Sequence, residues 1–385
     1  MPLFIRLSSS YFWYFAILGL VVPFLPIFLD GKGFSSVDIG ETLAIVTASR
    51  IVGPSLWAIL ADKTGKQLRI IQSGALLAII SFCFLFWLYT FWSITFCLAI
   101  FSLFWTAILP QMEVMTLNSV RKSAKIYARI RLWGSIGFIV LAVVGGDILE
   151  RFSPEAFTYL GMVVLLGLFI STLFLQQPRS KKTLHSNNTP ISNKIFQLGF
   201  AFFFAAGLML QMSFGPYYGF FALFLRDLNY PGIAVGLLIG LAVVAEIVIF
   251  IFAGQIFKHF SIKSLLIFSM AITAFRWLIL ALFGDDLWLL SISQLIHAAS
   301  FGIYHSASMQ FIHQHFDNNQ QSRGQALYIG GVYGLGGAIG AYVAGLLWQG
   351  GAGAQNAFYF AAITAFIGAL FALFIPTRCT VVSRA

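Results

Sequence analysis

The chain has 385 residues, 59% of them hydrophobic and 9% charged, with a formal net charge of +10. Soluble domains carry about 25% charged residues, so this composition excludes a water-covered globular protein; 42 Phe and a mean hydropathy of +0.89 indicate a polytopic helical membrane protein. Three cysteines (Cys83, Cys97, Cys379), two in apolar runs and one in the tail, argue against a disulfide framework or a cysteine-held metal.

A membrane helix needs about 20 mostly apolar residues. In chain order such runs fall at 9–29, 38–61, 69–90, 92–116, 130–147 and 155–175, then at 196–225, 233–257, 264–283, 286–312, 325–348 and 354–375. The first run has no small-residue cleavage site and does not read as a cleaved signal peptide. The run 196–225 is interrupted at Gly215-Pro216, which predicts a broken helix. The expected fold is all-α, with twelve transmembrane helices in two pseudo-symmetric six-helix halves, 1–175 and 196–385, joined by a cytoplasmic linker at 176–195.

Basic residues set the orientation. Placing both termini in the cytoplasm puts 18 of the 23 Lys and Arg on inner segments and three (Lys32, Arg151, Arg226) on outer loops; Arg50 and Arg276 remain inside spans. The positive charge is thus a topology signal and does not call for a nucleic-acid partner. The expected location is the cell inner membrane.

The halves align at an offset of 196: Ile39-Gly40 matches Val235-Gly236, Ala58 matches Gly254, and Arg50 matches Glu246 with opposite sign. Duplicated halves are the build of many secondary transporters, whose sites lie at the repeat interface.

Ionisable groups in a bilayer cost several kcal/mol and usually face a cavity or a partner. At a rise of about 1.5 Å per residue, Glu246 on span 8 and Arg276 on span 9 both lie roughly 18–20 Å from the inner surface. They could form a permanent salt bridge, or a pair that opens when Glu246 takes a proton. On span 10, His297, Ser300, Tyr304, His305 and Ser308 fall on one helical face and are expected to line a wet cavity. No third ligand accompanies the two histidines, so no metal is expected. Arg50 lies at similar depth without an evident partner. Glu113 and Arg131 lie near the inner ends of spans 4 and 5, and Phe138 follows Arg131 by two turns. That combination would hold a carboxylate or hydroxyls beside a flat apolar body, although Arg131 also reads as an inside anchor. The glycines of span 11, Gly330 to Gly345, suit close helix packing.

The stretch Ala58-Ile59-Leu60-Ala61-Asp62-Lys63-Thr64-Gly65-Lys66 resembles the G-x-L-A-D-[RK]-x-G-[RK] signature of the major facilitator superfamily, with Ala58 in place of the first Gly. The resemblance makes Asp62, Lys63, Gly65 and Lys66 a conformational loop. The runs Pro23 to Phe28, Pro110 to Glu113 and Arg131 to Phe138 are similar to the lactose permease-type proton symporters and the phenylpropionate permeases. It implies substrate binding by Glu113, Arg131 and Phe138, and proton coupling by Glu246, Arg276 and His297. That permease has a Glu where this chain has Ser300, so the proton carrier must differ, with Glu246 or His305 as candidates. Leu295 to His305 is closer to the phenylpropionate permeases, which favours an aromatic or other small carboxylic acid over a sugar or nucleoside.

The expected activity is therefore proton-coupled symport by alternating access. No cofactor beyond the coupling proton is expected, and the partners are a small-molecule substrate, protons and the lipid bilayer, with the chain acting as a monomer. An intramembrane hydrolase would need a nucleophile and base in register, and only the His297/Ser300 spacing suggests one. A channel would show flux far above transporter turnover, and a sensor would usually carry an extra soluble domain.

Overall fold

The computed structural model describes residues 2–120, 123–177, 191–317 and 319–376, without the side chains of Ser55, Asp62 and Ala124. Most of the expected linker, Cys379 and seven of the inner basic residues lie outside the described residues. The described residues form helices and no strand, and twelve helices are long and apolar enough to cross a membrane. They are α1 (Leu3–Gly31), α2 (Ser36–Ala61), α3 (Gln67–Phe86), α4 (Phe91–Ser119), α5 (Lys125–Arg151), α6 (Ala156–Leu173), α7 (Leu198–Asp227), α8 (Gly232–His259), α9 (Ile262–Leu282), α10 (Leu287–His315), α11 (Gln321–Gly351) and α12 (Ala354–Leu373). Several run past their apolar stretch, because backbone hydrogen bonding continues where the side chains turn polar. The run 130–147, for example, sits inside α5.

Local chemistry sets the ends. Ser35 opens α2 with a capping box: its hydroxyl accepts from the Asp38 N–H at 3.2 Å, and the Asp38 carboxylate accepts from the Ser35 N–H at 3.0 Å. Asp286 caps α10 by accepting from the N–H groups of Trp288 and Leu289 at 2.8 and 3.0 Å. At the α2–α3 turn Gly65 adopts φ 65°, ψ 10°, a left-handed conformation that favours glycine. Gln177, beyond α6, donates to the Gly65 carbonyl at 2.7 Å and accepts from the Leu68 N–H at 3.4 Å. Lys63 and Lys66 are exposed on this turn.

Proline places the breaks. Its ring clashes with the carbonyl four residues earlier and its nitrogen cannot donate there. In α7 the helix is interrupted at Phe214, between Ser213 and Gly215, next to Pro216. In α4 the interruption is at Thr106–Ala107, four residues before Pro110. The first break matches the expected one; the second was not anticipated. Two widened π-helical segments, Ala298–Ile303 in α10 and Ile329–Gly336 in α11, were also unanticipated. Such segments recur at functional sites.

The chain packs into two compact units. The first holds Met1–Thr183 together with Phe221–Gly240, and the second holds Leu184–Phe220 and Leu241–Ala385. In the first, most of α1 beyond its exposed first turn is buried, and rings interlock where Phe28 stacks on Phe157 (5.0 Å) and Phe82 meets Phe101 edge-on (5.1 Å). The start of α8 belongs to this unit: Gly232 and Gly236 lie backbone to backbone against Gly146 and Ala142 of α5. Arg226 pairs with Asp30 at 2.6 Å, and Glu150 accepts from the Gly232 N–H at 2.7 Å. In the second unit Phe203 stacks on Phe311 at 4.1 Å and on Tyr328 at 5.2 Å. There Gly215 of α7 and Gly340 of α11 sit backbone to backbone, Gly340 also facing the Met212 carbonyl. The glycines of span 11 thus serve packing at Gly340, and at Gly331, which sits under the Phe204 ring.

Candidate functional site

Each unit carries a cluster of charged and aromatic side chains within its helices. In the first unit the break in α4 precedes the turns that carry Glu113, and α5 brings Tyr127 and Arg131 beside it. The Glu113 carboxylate lies 3.9 Å from Arg131 Nε and accepts from the Tyr127 hydroxyl at 3.3 Å; both members of the ion pair are about one-third exposed (Glu113 37%, Arg131 34%). The Arg131 guanidinium lies 3.9 Å above the Phe15 ring, with Tyr11 at 5.9 Å. Gly134 makes room for this stack, since a Cβ there would meet Phe15 at 2.6 Å and Arg131 Nη1 at 3.1 Å. The ring under the Arg131 guanidinium is thus Phe15 of α1, a contact not anticipated from the sequence. Phe138 turns its backbone carbonyl against Gly19.

A second constellation in this unit surrounds Arg50. Its Nε donates to the Ser102 hydroxyl at 3.4 Å, and its guanidinium sits 5.4 Å from the Trp105 ring, which stacks on Tyr14 (4.9 Å, 15°).

In the second unit Arg276 is fully buried. Its Nη1 donates to His297 Nδ1 at 2.9 Å and its Nη2 to Gln294 Oε1 at 3.5 Å. The rings of Tyr217 and Trp277 lie 4.2 and 4.4 Å from its guanidinium. Glu246 of α8 lies within electrostatic reach of Arg276, Tyr217 and Tyr218. Arginine can only donate, so His297 Nδ1 accepts and the neutral imidazole carries its hydrogen on Nε2. A further proton can reach His297 Nδ1 only if Arg276 leaves it.

Beyond His297, the rings of Phe301 and His305 stack on it in sequence, at 5.8 Å (8°) and 5.9 Å (5°). His305 Nδ1 meets the Tyr333 hydroxyl at 3.1 Å, and the Tyr328 hydroxyl donates to that of Tyr304 at 2.8 Å. The expected wet stripe is corrected here. Ser300, Tyr304 and Ser308 are wholly buried in helix packing, and of the expected face only His297 and His305 join the ring stack. The π-helical turn is the reason, because it changes the register on which a regular helical face was drawn.

Tyr217, Gln294, Tyr333, Tyr127 and Phe15 join these clusters without having been singled out. Gln294 was accessible to the periodicity argument, lying three residues before His297 on the same face. Gln294 accepts from the buried Tyr217 hydroxyl at 2.7 Å. Gln294→Leu removes the acceptor of that hydroxyl and of a guanidinium N–H, so we expect a loss of about 1–3 kcal/mol, read as a lower melting temperature in detergent; an unchanged temperature contradicts this hydrogen bonding.

Twelve apolar helices with charges set among them define a multi-pass membrane protein. The chain belongs to the MFS_1 like family, whose profile matches residues 4–360, and it is a transporter of small solutes, not an enzyme. It is 27% identical over 350 residues to the "Probable 3-phenylpropionic acid transporter" of Escherichia coli (strain K12), covering 89% of this chain and 90% of that protein. To the "Maltose permease" of Geobacillus stearothermophilus it is 24% identical, covering 96% and 93%. Among solved structures, that of the nucleoside transporter NupG superposes with a TM-score of 0.83 at 17% identity, over 97% of this chain and 99% of that one.

Proposed function

We propose that this transporter is a proton-coupled symporter of a small carboxylic acid with an aromatic body, such as 3-phenylpropionate, working by alternating access. The single observation that carries the coupling is the Arg276–His297 Nδ1 hydrogen bond with Glu246 in electrostatic reach. With His297 held as an acceptor, the proton is assigned to Glu246 or to His305, and its arrival would change the field on Arg276. Glu113 and Arg131 are assigned to substrate, with Phe15 now the ring beside them and Phe138 a secondary candidate. Asp62, Lys63, Gly65 and Lys66 are assigned to the conformational loop; the side chain of Asp62 lies outside the described residues. The protein is placed in the inner membrane with both termini cytoplasmic, as a monomer whose only other requirement is the coupling proton.

Similarity to the 3-phenylpropionic acid transporter supports the acid. A sugar or nucleoside is the second reading, since the Glu113–Arg131 pair also suits hydroxyls and a relative is a maltose permease. Uptake into proteoliposomes with an imposed pH gradient tests the proposal. Accumulation of 3-phenylpropionate is expected to follow the gradient and to vanish in Glu246→Gln, with exchange across the membrane retained. Accumulation that ignores the gradient and survives this substitution overturns coupling through Glu246.

A further inference from the structure

Arg50 is a cation in the middle of a span with no carboxylate within 4.0 Å among the described residues; the nearby ion pair of this unit joins Glu113 to Arg131. Its hydrogen bond to Ser102 is long, at 3.4 Å, and Ser102 itself reaches back to the Val46 carbonyl at 3.5 Å. Neither contact neutralises a guanidinium, and an uncompensated charge in a bilayer costs several kcal/mol. A chain that keeps such a charge uses it. Arg50 is half-buried as a residue. Beside it Phe101, Trp105 and Tyr14 form a continuous stack of rings, at 6.1 Å (10°) and 4.9 Å (15°). The Trp105 indole is buried, and its Nε1–H has no acceptor among the described residues.

We propose that Arg50 is the anion-recognition residue of the transporter: it takes the carboxylate of the substrate, with the Trp105–Tyr14 stack as the apolar wall beside it. This rests on the acid reading above and deepens it, because it moves charge recognition from Arg131 to Arg50. Arg131 is already engaged by Glu113 and Phe15, whereas Arg50 gives its Nε to the long bond with Ser102 and meets no carboxylate among the described residues. A guanidinium fork matches a carboxylate in two parallel hydrogen bonds, and a ring wall favours an aromatic or flat aliphatic body.

The test measures binding to purified full-length protein in lipid nanodiscs, using 3-phenylpropionate, benzoate, the neutral isostere 3-phenylpropanamide, and uridine. Arg50→Gln is expected to weaken the two acids by about 30-fold, the scale of a hydrogen-bonded charge pair, and to change amide binding by less than about threefold. Arg50→Lys keeps the charge but loses the fork, and is expected to fall between. Removing an uncompensated cation should not lower the melting temperature of the ligand-free protein, so Arg50→Met is expected to melt at or above wild type. Acid binding unchanged in Arg50→Gln overturns this assignment and leaves the acid reading standing. Equal loss of acid and amide, or a lower melting temperature in Arg50→Met, shows a structural arginine and overturns it too. Wild-type protein that binds uridine, or nothing, but neither acid overturns both.

Discussion

Arg276→Gln is expected to destabilise the protein by about 3–5 kcal/mol, the scale of breaking a buried charged set by removing one member. The substitution removes the donor to His297 Nδ1 and to Gln294, and it takes from Tyr217 and Trp277 the cation that their rings face. It also takes away the positive field felt by Glu246. Adding Glu246→Gln removes the carboxylate that this field favours, so the double variant should recover a substantial part of the loss. Groups in one network typically couple by about 0.5–3 kcal/mol. Melting of the two single variants and the double in the same detergent completes the cycle. If the two losses simply add, Glu246 and Arg276 do not act on each other, and the coupling proposal loses its physical basis.

Gly340→Val is the second large effect. The Gly340 position faces the Met212 carbonyl, and Gly215 faces the Gly340 carbonyl, so neither place admits a side chain unless α7 and α11 separate. Forcing bulk into a packed contact costs about 1–3 kcal/mol and sometimes more, and here the obstacle is backbone, which yields less readily than a side chain. Gly254 of α8 is the control, with open space around its Cβ position. Gly254→Ala should be neutral or slightly stabilising, since alanine is the better helix former by about 1 kcal/mol. Equal melting of Gly340→Val and Gly254→Ala would show that the helices do not approach as described.

The fold was largely legible in the chain because hydropathy is a long-range signal: each span averages over about 20 residues and tolerates local exceptions. Pro216 lies beside the break in α7 and Pro110 beside the one in α4, but Pro23, Pro26 and Pro54 sit inside unbroken helices, so proline alone did not mark the α4 break. The clusters were legible only in part. Charges such as Arg50, Glu246 and Arg276 stand out in an apolar run, but their neutral partners do not. Tyr217, Gln294 and Phe15 are ordinary residues until a neighbouring helix brings them to an arginine. Phe15 was missed because its ring reaches Arg131 from a neighbouring helix, α1. The stripe on α10 failed because the periodicity assumed a regular helix where the backbone widens.

Residues 221–240 pack with the first unit although they follow the sixth span. The expected halves put one boundary after the sixth span, while packing puts others inside α7 and inside α8. The first six helices are therefore not self-sufficient: expressed alone, they would lack the strap that covers Gly146 and Ala142 and the arginine that meets Asp30.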